Sequence, residues 1–126
     1  MRMVASVVVS TLLAVSQGAA DRWLGSWERG ADATIEIVRD TSDPSRVNIN
    51  VLVATPRGCT GEAAGQVAVN ELSASTVTLK AGLPESRERD CRMLLELSAD
   101  GDLVVDEGSC SSLHGAACEF SGRYSK

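Results

Sequence analysis

From residue 21 onward the chain alternates apolar and polar positions in short runs separated by turn-forming residues. The cleanest run is Arg46 to Val53, where Val47, Ile49, Val51 and Val53 take one face and Asn48 and Asn50 the other. A period of two places successive side chains on opposite faces of a pleated strand, so this segment predicts a half-buried β-strand. Ala33 to Arg39 repeats the pattern, with Ile35 and Ile37 inward and Thr34 and Glu36 outward. The same reading predicts strands over Gln66 to Leu72, Thr76 to Ala81, Cys91 to Leu97, Leu103 to Asp106 and Cys118 to Tyr124. With an opening segment from Trp23 to Arg29, the total is about eight.

The joints carry turn chemistry: Asp40-Thr41-Ser42-Asp43-Pro44, Thr55-Pro56-Arg57-Gly58, Ala81-Gly82-Leu83-Pro84 and Ala99-Asp100-Gly101-Asp102. Asp100-Gly101 is the strongest of them, because tight hairpins need the positive φ that glycine supplies. Two stretches, Glu62 to Leu72 and Glu85 to Leu95, also admit a helical reading, and Pro84-Glu85-Ser86-Arg87 resembles a helix start. The second is read as a charged loop. The expected fold is all-β: a single antiparallel meander of about eight short strands closing into a small barrel, which would remove exposed strand edges. Its inward positions, among them Val67, Val69, Leu79, Met93, Leu95 and Phe120, are aliphatic or aromatic and include no polar group to orient a guest. That composition predicts a packed interior rather than a ligand cavity.

The N-terminus reads differently. Arg2 is followed by an apolar run from Met3 to Val15 and a small-residue stretch ending Gly18-Ala19-Ala20. These are the parts of a cleavable export signal over residues 1–20, with the folded domain at 21–126. The run is too short to span a bilayer, and no cysteine stands at the cleavage point to take a lipid anchor. Removing residues 1–20 takes away one base of 12 and none of the 17 acids, which leaves a net charge of −6. An acidic surface disfavours nucleic acid and anionic membranes and suits a basic protein partner. The expected destination is the periplasm or the outside medium.

In an oxidising compartment the four cysteines, Cys59, Cys91, Cys110 and Cys118, are expected to pair. Three connectivities are open, and the preferred one joins Cys59 to Cys91 and Cys110 to Cys118, the latter across a short loop. A metal site is not expected, since there is no C-x-x-C and His114 is the only histidine. No cofactor motif is present.

Gly25-Ser26-Trp27, at the start of the first strand, resembles the Gly-x-Trp opening of the lipocalin and related small-barrel superfamily. The resemblance implies that Trp27 closes one end of a barrel and that a basic residue of the last strand packs over its ring. Arg123, in Phe120-Ser121-Gly122-Arg123-Tyr124, stands where that residue would be. A guanidinium on an indole face contributes about 0.5 to 2 kcal/mol. Leu24-Gly25-Ser26-Trp27 is also similar to the avidin opening, but no tryptophan follows Trp27, so that family's later pocket tryptophans are missing. In architecture the chain resembles small exported bacterial barrels that include lysozyme inhibitors.

Candidate chemistry is sparse. His114 lies in a loop between Cys110 and Cys118 that contains no carboxylate to orient its ring, so it reads as a solvated histidine rather than a catalytic base. Asp100 and Asp102 are explained by the turn at Gly101; Asp106 and Glu107 match no calcium-loop pattern. The mixed-sign run Arg87-Glu88-Arg89-Asp90 is a solvated loop, and Arg87, Arg89 and His114 are the candidate rim for docking a partner. The expected function is a non-enzymatic exported binding domain, with an inhibitor of a lytic enzyme such as lysozyme as its most concrete form. A lipocalin-like carrier of a small apolar ligand is the alternative.

Overall fold

The structure, a computed structural model, describes residues 18–126; the expected export signal lies outside the described residues over 1–17. Residues 18–21 form a helical turn, and Ala20 is buried, its carbonyl accepting the Trp23 N–H at 2.9 Å. Eight strands follow: β1 (Gly25–Arg29), β2 (Ala33–Arg39), β3 (Arg46–Ala54), β4 (Thr60–Ala68), β5 (Thr76–Ala81), β6 (Cys91–Leu97), β7 (Leu103–Asp106) and β8 (Gly122–Tyr124). Two 3₁₀ turns, Val69–Ser73 and Cys110–Leu113, interrupt them. Among the described residues no helix is long and apolar enough to cross a membrane.

The meander is antiparallel throughout, but it does not close into a barrel. The ladders form two four-stranded sheets, β1-β2-β3-β4 and β5-β6-β7-β8. Each seam between them rests on one residue pair. Glu28 and Ser125 exchange backbone bonds of 2.7 and 2.8 Å between β1 and the end of the chain, and Ala64 and Gly82 exchange bonds of 2.8 and 3.0 Å between β4 and the residue after β5. A closed barrel needs a continuous staggered ladder. Here β7 has four residues and β8 three, too few to carry the ladder round, and β4 leaves its plane at Val69.

The β4 boundary is the main departure from the sequence pattern, which placed a strand over Gln66 to Leu72. The strand begins at Thr60 because Gly61, Ala63, Gly65 and Val67 take the inward positions, small residues that give little hydrophobic alternation. It ends because the Glu71 carboxylate accepts the Ala68 N–H at 2.7 Å and winds the chain into a 3₁₀ turn. Val69, expected inward, is half-buried in that turn, while Leu72 reaches the core instead. The segment before β6 is a loop, as its charge pattern predicts.

The two sheets meet through Ile35, Ile37, Ile49 and Val51 on one side and Leu79, Met93, Leu95 and Leu103 on the other, all buried. Burying one such side chain contributes about 1.5 to 3 kcal/mol. The interior is filled by side chains, and the polar atoms inside it, Nε1 of Trp23 and Trp27 and the Tyr124 hydroxyl, are each spent on a backbone carbonyl.

The registers sort the loops to two ends. One end gathers residues 20–24, the 40–45 and 98–102 turns, the first 3₁₀ turn and the C-terminus; the other gathers the 30–32 and 55–59 turns and the loops 82–90 and 107–121. Trp23 and Trp27 mark the first, and both disulfides mark the second.

Candidate functional site

At the tryptophan end, Trp23 Nε1 donates to the Leu72 carbonyl and Trp27 Nε1 to the Trp23 carbonyl, each at 2.9 Å. Both rings are buried with their one donor satisfied, which stitches the N-terminal turn to β1 and the first 3₁₀ turn. Gly25 has φ +129°, a conformation that strains any residue with a Cβ. The cation over Trp27 is Lys126, its Nζ 4.7 Å from the ring centroid, and not Arg123. Strand alternation is the reason: Tyr124 faces the core, so Arg123 points outward, to Asp102 at 3.2 Å and Asp100 at 3.4 Å.

At the other end, the cysteines are bridged Cys59 to Cys118 and Cys91 to Cys110, correcting the expected pairing. Closeness in sequence between Cys110 and Cys118 suggested a hairpin clasp. Instead the 3₁₀ turn carries Cys110 into the core beside the first residue of β6, and the chain then crosses β4 before Cys118 meets the β3–β4 turn. One bridge therefore ties the 107–121 loop to each sheet.

His114 is drawn into this clamp and is not solvated, its side chain being 8% exposed. It bridges to Gly61, where a Cβ would come within 2.3 Å of the histidine Cβ, and its ring meets Phe120 edge-on at 4.8 Å. The orienting carboxylate comes from Glu107, outside the cysteine-flanked segment. Glu107 lies 2.9 and 3.1 Å from Nε2 through its two oxygens and also accepts the Phe120 N–H at 2.9 Å. Nδ1 lies 2.7 Å from the Gly115 carbonyl. Burial acts to lower the His114 pKa, but the bonds to Gly115 and Glu107 and the charges of Glu107 and Glu119 outweigh it, so the value is raised above 6.5. Both nitrogens face acceptors, an arrangement that favours the protonated ring, which donates through both, and that keeps each nitrogen occupied.

The 82–90 loop lies beside this strut. Arg89, expected at a docking rim, folds inward and donates through Nη1 to the carbonyls of Ser86 at 2.6 Å, Glu88 at 2.9 Å and Leu83 at 3.3 Å. Arg87 is exposed and enters no ion pair among the described residues. What the loop presents is Leu83, 43% exposed between two shallow clefts of about 170 and 220 Å³ that share Leu83 and Leu113. Glu88 and Asp90 line one cleft, Glu62 and Glu85 the other, and neither has a basic residue in its walls. Leu83 was not singled out by sequence because a single apolar residue in a turn carries no periodic signal.

On the outer face of β3 and β4 runs a larger groove of about 530 Å³. Its walls include Arg46, Lys80 and Arg89 and the amides of Asn48, Asn50 and Gln66. Among the described residues, no three histidine, cysteine or carboxylate side chains gather where they could hold a metal ion.

Together these features define a two-sheet β domain whose loop end is covalently clamped and carries an acidic surface around one leucine. Compared with protein-family models, curated proteins and solved structures, the chain matches none.

Proposed function

We propose that this chain is an exported, non-enzymatic domain that presents its disulfide end to a basic protein. A lytic enzyme of the cell wall, such as a lysozyme, is the most concrete partner. The observation that carries the reading is Leu83, exposed on a doubly clamped loop end and ringed by Glu62, Glu85, Glu88 and Asp90. A rigid loop surface loses little entropy on docking, and a leucine in a carboxylate ring offers an apolar contact plus steering of a cationic partner.

Export is supported by the leader pattern of residues 1–20 and by two disulfides, which persist in oxidising compartments such as the periplasm or the outside medium. The occupied imidazole of His114 supports a non-catalytic role. The filled interior favours a surface binder over a lipocalin-like carrier of an apolar guest.

The test is inhibition of a panel of lysozyme types by purified protein. Inhibition of at least one, weakening as salt rises, is the expected result, with Leu83→Asp abolishing it and Glu85→Gln combined with Glu88→Gln slowing association. No inhibition across the panel overturns the inhibitor reading.

A further inference from the structure

The groove over β3 and β4 differs in charge from the rest of this acidic molecule. Although the described residues include 17 acids, no carboxylate stands among the residues lining it, whereas Arg46 and Lys80 both do. Neither enters an ion pair among the described residues, so both charges face the groove or solvent uncompensated at contact distance. Arg89 adds a third charge at the far wall, where its Nη1 is already held by loop carbonyls. Acids border the groove without lining it: Asp40 accepts from Asn48 Nδ2 at 3.3 Å, Glu36 stands opposite Asn50 across the β2–β3 ladder, and Asp43 feels the charge of Arg46.

The floor is built for hydrogen bonding. Asn48 and Gln66 stand directly opposite across the β3–β4 ladder, and Gln66 Nε2 donates to Asn48 Oδ1 at 2.6 Å. Asn50 is exposed two residues along the same face, opposite Ala64, and no group among the described residues bonds its side chain. The depression exists because the outward position between the amides is an alanine and because β5 crosses β4 at Gly65, where a Cβ would lie 2.3 Å from the Lys80 carbonyl. Val38, 46% exposed, forms an apolar wall.

We infer that this groove binds an acidic oligosaccharide: a carboxylate meets Arg46 and Lys80, ring hydroxyls meet the amide row, and a C–H face of the sugar packs on Val38. The volume of about 530 Å³ falls in the range of roughly 300 to 1,000 Å³ usual for small-ligand sites. Two uncompensated cations are too few for nucleic acid, whose binding uses about 6 to 10 phosphate contacts. A peptide would need side-chain pockets, which this shallow amide row does not supply. The groove borders the Leu83 surface at Pro84, but the inference does not rest on that contact.

The experiment is NMR titration of the full domain with a galacturonic acid tetramer, a neutral maltotetraose, a tetraglutamate peptide and inorganic phosphate, following the side-chain amides of Asn48, Asn50 and Gln66. The galacturonate tetramer is expected to shift these signals in a saturable, salt-sensitive way and to bind at least about tenfold more tightly than the other three. Lys80→Gln and Arg46→Gln are each expected to weaken it about five- to tenfold with unchanged melting temperature, while Arg87→Gln leaves it unaltered. Equal response to the neutral tetramer, tighter binding of tetraglutamate or phosphate, or no shift of the three amides overturns the inference.

Discussion

The two ends of the molecule solve the same problem by different means. At the tryptophan end, two buried indoles fill the space between the sheets and tie three segments together through neutral hydrogen bonds to carbonyls. At the disulfide end, the strands that meet are lined with Gly61, Ala63, Gly65 and Gly82, which let backbones approach but bury little area. Two disulfides and the Glu107–His114 pair hold that end instead. Bulk turned inward cannot also be presented outward. An end held covalently keeps its exposed residues free, and that is where Leu83 and its carboxylates lie.

The sharpest way to break this comparison is Trp27→Ala. Emptying a fully buried aromatic site costs about 3 to 5 kcal/mol, so thermal or urea unfolding is expected to show a loss of that size with both disulfides intact. A loss under about 1 kcal/mol would show that side-chain bulk does not hold that end.

Next in size is the Cys59→Ser, Cys118→Ser double variant. The bridge closes a separation of 59 residues, and loop-closure entropy gives it roughly 4 kcal/mol, with about 2 to 4 usual in practice. Hydrogen exchange is expected to accelerate over 107–121 while Ile35 and Ile37 stay protected. Uniform acceleration over both sheets would mean that the two ends are not separately held.

Glu107→Gln probes the strut without changing its size. The folded His114 pKa is raised, so the stability from its pairing is fully present below the unfolded value of 6.5 and is lost as pH rises through the higher folded value. The variant is therefore expected to be about 1 to 2 kcal/mol less stable at pH 6, with the gap narrowing as pH increases. A pH-independent gap in denaturant midpoints would remove His114 as its cause.

The smallest effect is expected from Lys126→Ala at the tryptophan end. An exposed ammonium over an indole contributes about 0.5 to 1 kcal/mol, and Arg123→Ala should leave Trp27 fluorescence unchanged while Lys126→Ala shifts it. A shift with Arg123→Ala alone would restore the pairing suggested by the family resemblance.

Strand content was legible wherever large apolar residues alternate. β2, β5, β6 and β7 have the bounds that their sequence pattern predicts, and β3 extends one residue further, because each is covered on one face only. β4 was not, since its inward face is glycine and alanine, and so the groove above it was hidden as well. Asn48 and Asn50 were recognisable as outward, but only the register places Gln66 beside Asn48, and only the packing of β5 beside β4 brings Lys80 to the same groove. His114 was read correctly as the sole histidine and wrongly as solvated; its carboxylate lies seven residues away, and its burial depends on Gly61.

The sequence by itself therefore determined the local periods, the turns, the even cysteine count and the acidic balance, since each depends on neighbours along the chain. Tertiary structure decided the cysteine pairing, the cation over Trp27, the two open seams and the partners of His114. Those depend on which segments meet across the two sheets, and residues far apart in sequence share no local pattern that announces the meeting.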